Sequence, residues 1–324
     1  MNLYRKILSG ALKATWKNKY LWFFGLFATL LGGTGELELL FSSTEGSYQN
    51  TLLPNFSSWI DAGIFSGAAM KNAGDLAIHD PFSFFILISL LLVVLLLGLF
   101  LIWLTVTSQA GLVYNSAKIK LDKKHSLKDG LNAGMDKFWS VFGLNLSLKF
   151  VISLLFFLIT IPIVNESAGG NMGGKVFFFL FLLFIPLSII VSFIVKYAIA
   201  FVVIREQCFL KALKDSWNLF KSNWLVSIEM AFILFFISFA SWVLLILLFL
   251  VLAVPIVFIV LVFSQVLVYV NYMVLIISAV FVYIVIIITY GSFLASFQIS
   301  AWTYLFIELI GKGGKSKINR LFNK

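Results

Sequence analysis

The sequence predicts an all-α polytopic integral membrane protein: six transmembrane helices, cytoplasmic interfacial amphipathic helices, and a three-fold internal repeat of one such helix plus two spans. Of the 324 residues, 61% are hydrophobic and 12% charged, against roughly 25% charged in an ordinary soluble domain. With 36 Phe, 9 Trp and a mean hydropathy of +1.03, too little polar side chain exists to cover a water-facing particle. The outer surface must therefore meet lipid, which excludes a soluble globular enzyme. Apolar runs of about 20 residues recur along the chain, and basic residues collect between them.

The N-terminal segment is a basic amphipathic helix. Tyr4, Leu8, Leu12 and Trp16 share a face with Ile7, Ala11 and Thr15, while Arg5, Lys6, Ser9, Lys13 and Lys17 lie opposite. A first span starts at Tyr20 and is cut short by Gly32, Gly33, Gly35 and Glu36. Ala28-Thr29-Leu30-Leu31-Gly32 is a poor small-x-small cleavage site behind a long basic region, so the segment reads as a retained span, not a signal peptide. Residues 42–80 form an outer-face segment whose Glu45, Asp61, Asp75, His79 and Asp80 read as a solvated face. The second span covers 82 to about 114, with no charge between Asp80 and Lys118.

A second short helix opens with Ser126 as its cap and sets Leu127, Leu131, Met135 and Phe138 against Lys128, Asn132 and Asp136. Spans three (about 138–164) and four (176–204) each carry one internal charge, Lys149 and Lys196. Between them, Gly169 and Gly174-Lys175 have phosphate-loop spacing, but Val176 stands where Ser or Thr is needed and no strand precedes, so this is a turn. The third short helix sets Leu210, Leu213, Trp217 and Phe220 against Lys211, Lys214, Asn218 and Lys221. The apolar run from 224 to 310, with Glu229 near its start, is too long for one span. It divides into two, with 254–274 (Pro255, Ser264, Gln265, Asn271) as an interfacial or re-entrant outer connection. In the last span Ser292, Ser296 and Ser300 recur every four residues beside Gly291 and Ala295, a stripe suited to close helix packing.

Charge sets the orientation. Arg5 to Lys19, Lys118 to Lys137, Arg205 to Lys221 and Lys312 to Lys324 hold all but four of the 24 basic residues, the others being Lys71, Lys149, Lys175 and Lys196. Placing those four groups inside predicts a multi-pass protein of the plasma (inner) membrane with both termini cytoplasmic, the tail being 311–324. A seventh span would carry that basic tail outside.

The short helices resemble one another. Gly10-Ala11-Leu12-Lys13-Ala14-Thr15-Trp16 matches Lys211-Ala212-Leu213-Lys214-Asp215-Ser216-Trp217, and Asp129-Gly130-Leu131-Asn132-Ala133-Gly134-Met135 follows more loosely. Each precedes a span with an aromatic boundary, so Trp16, Trp139, Trp217 and Trp224 are expected to anchor the helices, apolar face in the acyl boundary. The repeats are 1–125, 126–207 and 208–324, in parallel orientation within a single membrane domain. Tyr197-Ala198-Ile199-Ala200-Phe201-Val202-Val203-Ile204-Arg205-Glu206, the Ala212-to-Trp217 helix after it, and Trp16-Lys17-Asn18 ahead of span one resemble the membrane domain fused to some bacterial glycerophosphodiester phosphodiesterases, and its stand-alone relatives. The resemblance implies a six-span module without the soluble phosphodiesterase domain or its activity.

Chemistry is sparse. One cysteine, Cys208, and two histidines, His79 and His125, offer no disulfide or zinc constellation, and no nucleophile–base set or nucleotide loop is present, so no catalytic residue, cofactor or metal is assigned. Lys149 and Lys196 fall about 14 to 15 Å deep and Glu229 about 7.5 Å. All three are intramembrane polar candidates, Glu229 being expected to pair with one of the lysines, as a structural lock or as a cavity for an anionic head group or coupling ion. The basic cluster Lys123-Lys124-His125 either contacts anionic lipid at the cytoplasmic face or reports topology alone. The leading expectation is a non-enzymatic envelope scaffold organising lipids, a membrane-protein partner or further copies of itself, without nucleic acid. The alternative is a transporter for a small solute or lipid-derived anion using the mid-membrane polar site.

Overall fold

A computed structural model describes residues 2–29, 77–167, 173–266 and 272–312. Those residues hold no strand; their helices are α1 (Asn2–Lys17), α2 (Tyr20–Ala28), α3 (Pro81–Lys120), α4 (Leu127–Asp136), α5 (Phe138–Ser167), α6 (Gly173–Ile204), α7 (Phe209–Ser222), α8 (Trp224–Val266) and α9 (Tyr272–Lys312). Five are long and apolar enough to cross a membrane, over Pro81–Lys120, Phe138–Thr160, Phe178–Ile204, Trp224–Pro255 and Val280–Gly311. The expected first span begins as α2 and passes beyond the described residues after Thr29, as does most of the expected outer segment 42–80 and the tail from 313. Two compact units share the chain: Met1–Leu40 with Thr105–Lys324, and Phe41–Leu104. In the second unit, Asp80 caps α3 by accepting from the Ser83 backbone N–H at 3.2 Å and its hydroxyl at 2.5 Å.

Of the expected connection at 254–274, residues 267–271 lie outside the described residues. Helix α8 passes through Pro255 to Val266, and α9 starts at Tyr272. Proline removes one backbone bond, yet in a run of Val, Ile, Leu and Phe the other carbonyls and amides have no partner except their own helix, so the helix persists. Hydroxyls in the apolar helices obey the same constraint: Ser147, Ser227, Ser238, Ser292 and Thr303 each donate to the carbonyl four residues back.

Within the larger unit, small residues decide where helices touch. A Cβ on Gly25 of α2 would overlap the Ser292 carbonyl oxygen and the Ser296 hydroxyl of α9, and Ser296 Oγ donates to the Leu21 carbonyl at 2.8 Å. The serine stripe of the last span is therefore a packing surface, extended by Ser300, whose hydroxyl meets Ser116 of α3 at 2.8 Å. Interhelical bonds of this kind contribute about 0.6 kcal/mol each on average, so it is their number that fixes the bundle.

The three short helices each bury two small residues four apart: Ala11 and Thr15 in α1, Gly130 and Gly134 in α4, Ala212 and Ser216 in α7. Helix α1 packs on α9, with Gly10 against Tyr304; α4 packs on α3, where Gly134 abuts the Thr107 carbonyl and Gly130 the Asn115 amide; α7 packs on α6. This corrects the expectation that the whole apolar face lies in acyl chains. Side chains of at most three heavy atoms let the short helix seat on a long one, while some larger apolar neighbours stay outside: Trp16 is 67% exposed, Met135 43% and Trp217 49%. Ser126 caps α4 as expected, its Oγ accepting from Asp129 N–H at 3.1 Å. Where α3 ends, Asp122 takes a left-handed φ of 56° and Glu206 does the same (53°) after α6, a turn that lets the chain reverse into the next short helix.

Candidate functional site

The polar residues of the larger unit converge where α3, α6 and α9 meet. Gln109 and Val113 of α3, Lys196, Tyr197, Ile199 and Ala200 of α6, and Ile299, Trp302 and Thr303 of α9 line a cavity of about 40 Å³. That is room for about three waters. Lys196 Nζ lies 4.8 Å from the Trp302 ring centroid and 6.0 Å from that of Phe193. A central charge costs about 2.5 to 3.5 kcal/mol on insertion scales, and a desolvated cation–π contact returns about 2 kcal/mol, so the aromatic wall accounts for much of what makes this lysine tolerable. Gln109 Oε1 accepts from Asn145 Nδ2 of α5 at 2.6 Å, leaving its two N–H groups as the donors it can offer elsewhere.

Around this cavity the bundle is closed by rings and hydroxyl pairs. Phe193 and Trp302 lie 5.3 Å apart, Phe201 and Phe306 4.8 Å, and Tyr197 shares a 2.7 Å hydrogen bond with Ser227 of α8. Next to it, Gln298 Nε2 donates to Ser238 Oγ at 2.6 Å, tying α9 to α8.

The three predicted intramembrane charges have different surroundings. Lys196 lines the cavity; Glu229 does not, and accepts a short hydrogen bond from Tyr4 Oη of α1. Lys149 is exposed on α5 and makes no hydrogen bond or ion pair among the described residues, so the expectation that Glu229 could pair with it is corrected. The reason is helical phase. Asn145 and Leu144 face the bundle and are buried, whereas Lys149, one turn beyond Asn145, lies at the edge of the exposed stripe that carries Leu146 and Phe150. The four anchors Trp16, Trp139, Trp217 and Trp224 are all exposed, Trp139 at 79%. His125 of the basic cluster bonds through Nδ1 to Tyr20 Oη at 2.6 Å with the rings stacked.

Two partners escaped the sequence reading. Glu308, near the end of the last span, forms a 3.2 Å ion pair with Lys120 at the end of α3, both side chains largely covered. A carboxylate so close to a span's end was legible as a charge, but its partner is distant in sequence. Gln109 passed unnoticed as an uncharged residue in a polar stretch, Thr105 to Gln109, which was the available signal.

A second recess of about 320 Å³ lies among Tyr114 of α3, Asp129, Asn132, Asp136 and Lys137 at α4, and Val203 and Glu206 at the end of α6. Among the described residues no three His, Cys, Asp or Glu are gathered closely enough to hold a metal ion. Cys208 is exposed at the start of α7 and is not among the residues lining either space. No family model, no curated protein and no solved structure matches the chain.

Proposed function

We propose that the chain is a non-enzymatic, six-span scaffold of the plasma membrane, both termini cytoplasmic, related to the membrane domain of bacterial glycerophosphodiester phosphodiesterases and acting by organising lipid or protein partners. The observation that carries this reading is the closed junction of α3, α6 and α9. Aromatic rings fill it, and the space left at Lys196 is about 40 Å³, far below the roughly 300 Å³ of a pocket for an organic ligand. The three-repeat reading has support in burial: Ala11, Gly130 and Ala212 are buried at one repeat position, Thr15, Gly134 and Ser216 at the next, with Trp16, Met135 and Trp217 exposed beside them. Helix α4 packs on the preceding α3, α7 on the preceding α6, and α1 on α9. In a parallel three-fold arrangement α1 is the unit that follows α9 around the axis, so this last contact closes the ring.

The competing reading is transport of a small solute, favoured by a lysine at mid-membrane depth where the three units meet. Cysteines placed at Val113 and Ala200 in a Cys208→Ser background separate the two. A scaffold leaves both thiols untouched by a bulky membrane-impermeant reagent applied from either side. Rapid labelling from one side or both overturns the scaffold reading in favour of transport.

A further inference from the structure

We propose that the exposed face of α5 around Lys149 is a docking surface for a transmembrane helix of a different protein, one carrying a carboxylate side chain at mid-membrane depth. The inference rests on the scaffold reading only in supposing that a partner exists, and it names that partner's chemistry.

Lys149 stands eleven residues into α5 from Phe138, about 16 Å deep at about 1.5 Å per residue. Its extended stem reaches about 6 Å, so snorkelling leaves the ammonium about 10 Å short of the surface. Lipid phosphate is therefore out of reach. The residues around it are apolar and outward: Leu146, Phe150 and Phe157 are exposed and, with Lys149 and Ser153, follow helical spacing on a single stripe. A charge set in such a stripe costs about 2.5 to 3.5 kcal/mol on insertion scales, a cost that pairing with a complementary charge offsets.

Among the described residues, a second copy of this chain offers the stripe no complementary charge. Two-fold pairing through this stripe sets Lys149 against Lys149, since an isologous contact matches each patch with itself. Heterologous pairing needs a carboxylate, and among the described residues the five spans hold only Glu229, bonded to Tyr4, and Glu308, paired with Lys120. The occupant proposed to supply the complementary charge is another protein's helix with Asp or Glu near its centre. Small Ser153 one turn from Lys149 gives that helix a point of close approach.

The test uses the full chain, donor-labelled and reconstituted in phosphatidylcholine vesicles at pH 8, with acceptor-labelled Leu-rich transmembrane peptides bearing one central Glu, Gln or Leu. The expected result is saturable energy transfer to the Glu peptide about ten-fold tighter than to the Gln peptide. Lys149→Met abolishes the difference, Lys149→Arg keeps it, and Lys196→Met leaves it unchanged. Equal association of the Glu and Gln peptides, or a preference that survives Lys149→Met, overturns the proposal. Because Lys149 is exposed, its variants keep the fold, which circular dichroism of the same samples verifies. Failure here leaves the scaffold reading standing, since that is decided separately by thiol access at positions 113 and 200.

Discussion

A methyl group added at Gly134 overlaps the Thr107 carbonyl oxygen, whereas one added at Gly291 meets nothing within 4 Å. Both glycines are helical, so propensity alone favours alanine at each by about 1 kcal/mol. At Gly134 overpacking of about 1 to 3 kcal/mol outweighs that gain. Gly134→Ala is expected to lower the melting temperature in detergent while Gly291→Ala holds or raises it, and an equal response would refute the seating of α4 on α3. Asp80 offers a pH-dependent counterpart in the other unit. Its hydrogen bonds from Ser83 hold the carboxyl below the usual carboxylate range. A lowered value means the cap is fully present at neutral pH and is lost only as pH falls through that lowered value. Hydrogen exchange at the first turn of α3 should stay slow from pH 7 to 5, once corrected for intrinsic rate, and quicken only below. Protection lost already near pH 6 would exclude Asp80 as the cap.

Between elements, the Lys120–Glu308 pair ties the end of α3 to the end of α9, with Lys120 also 5.0 Å from the Tyr304 ring centroid. Largely covered yet close to the bundle end, the pair is expected to be worth about 1 kcal/mol, the upper range for partly solvated ion pairs. Reversing either charge alone should destabilise the protein, and the exchange Lys120→Glu with Glu308→Lys should recover most of the loss. A double-mutant cycle with no coupling would mean that α3 and α9 are held by Ser116, Ser300 and their apolar neighbours alone.

For the molecule as a whole, the contact of α1 with α9 joins the two ends of the chain, burying Ile7 and Ala11 completely. Removing residues 2–17 uncovers Tyr304 and takes the Tyr4 hydrogen bond from Glu229, leaving a carboxylate inside the bundle without that donor. The shortened chain should therefore melt at lower temperature and accumulate less in membranes. Unchanged melting would mean that α1 is dispensable to the fold. The all-helical architecture and the five helices long and apolar enough to cross a membrane were legible in the sequence, because lipid imposes length and apolarity on each span locally, with no need to know its neighbours. The serine stripe was legible for the same reason, as spacing along one helix. Which face of α5 turns inward, that Glu229 meets Tyr4 and Glu308 meets Lys120, and that small residues draw the short helices onto protein instead of into lipid, were decided by tertiary packing. Sequence fixes a helix's period but not its phase against a partner far along the chain, and it is phase that puts Lys196 beside Trp302 and leaves Lys149 outside.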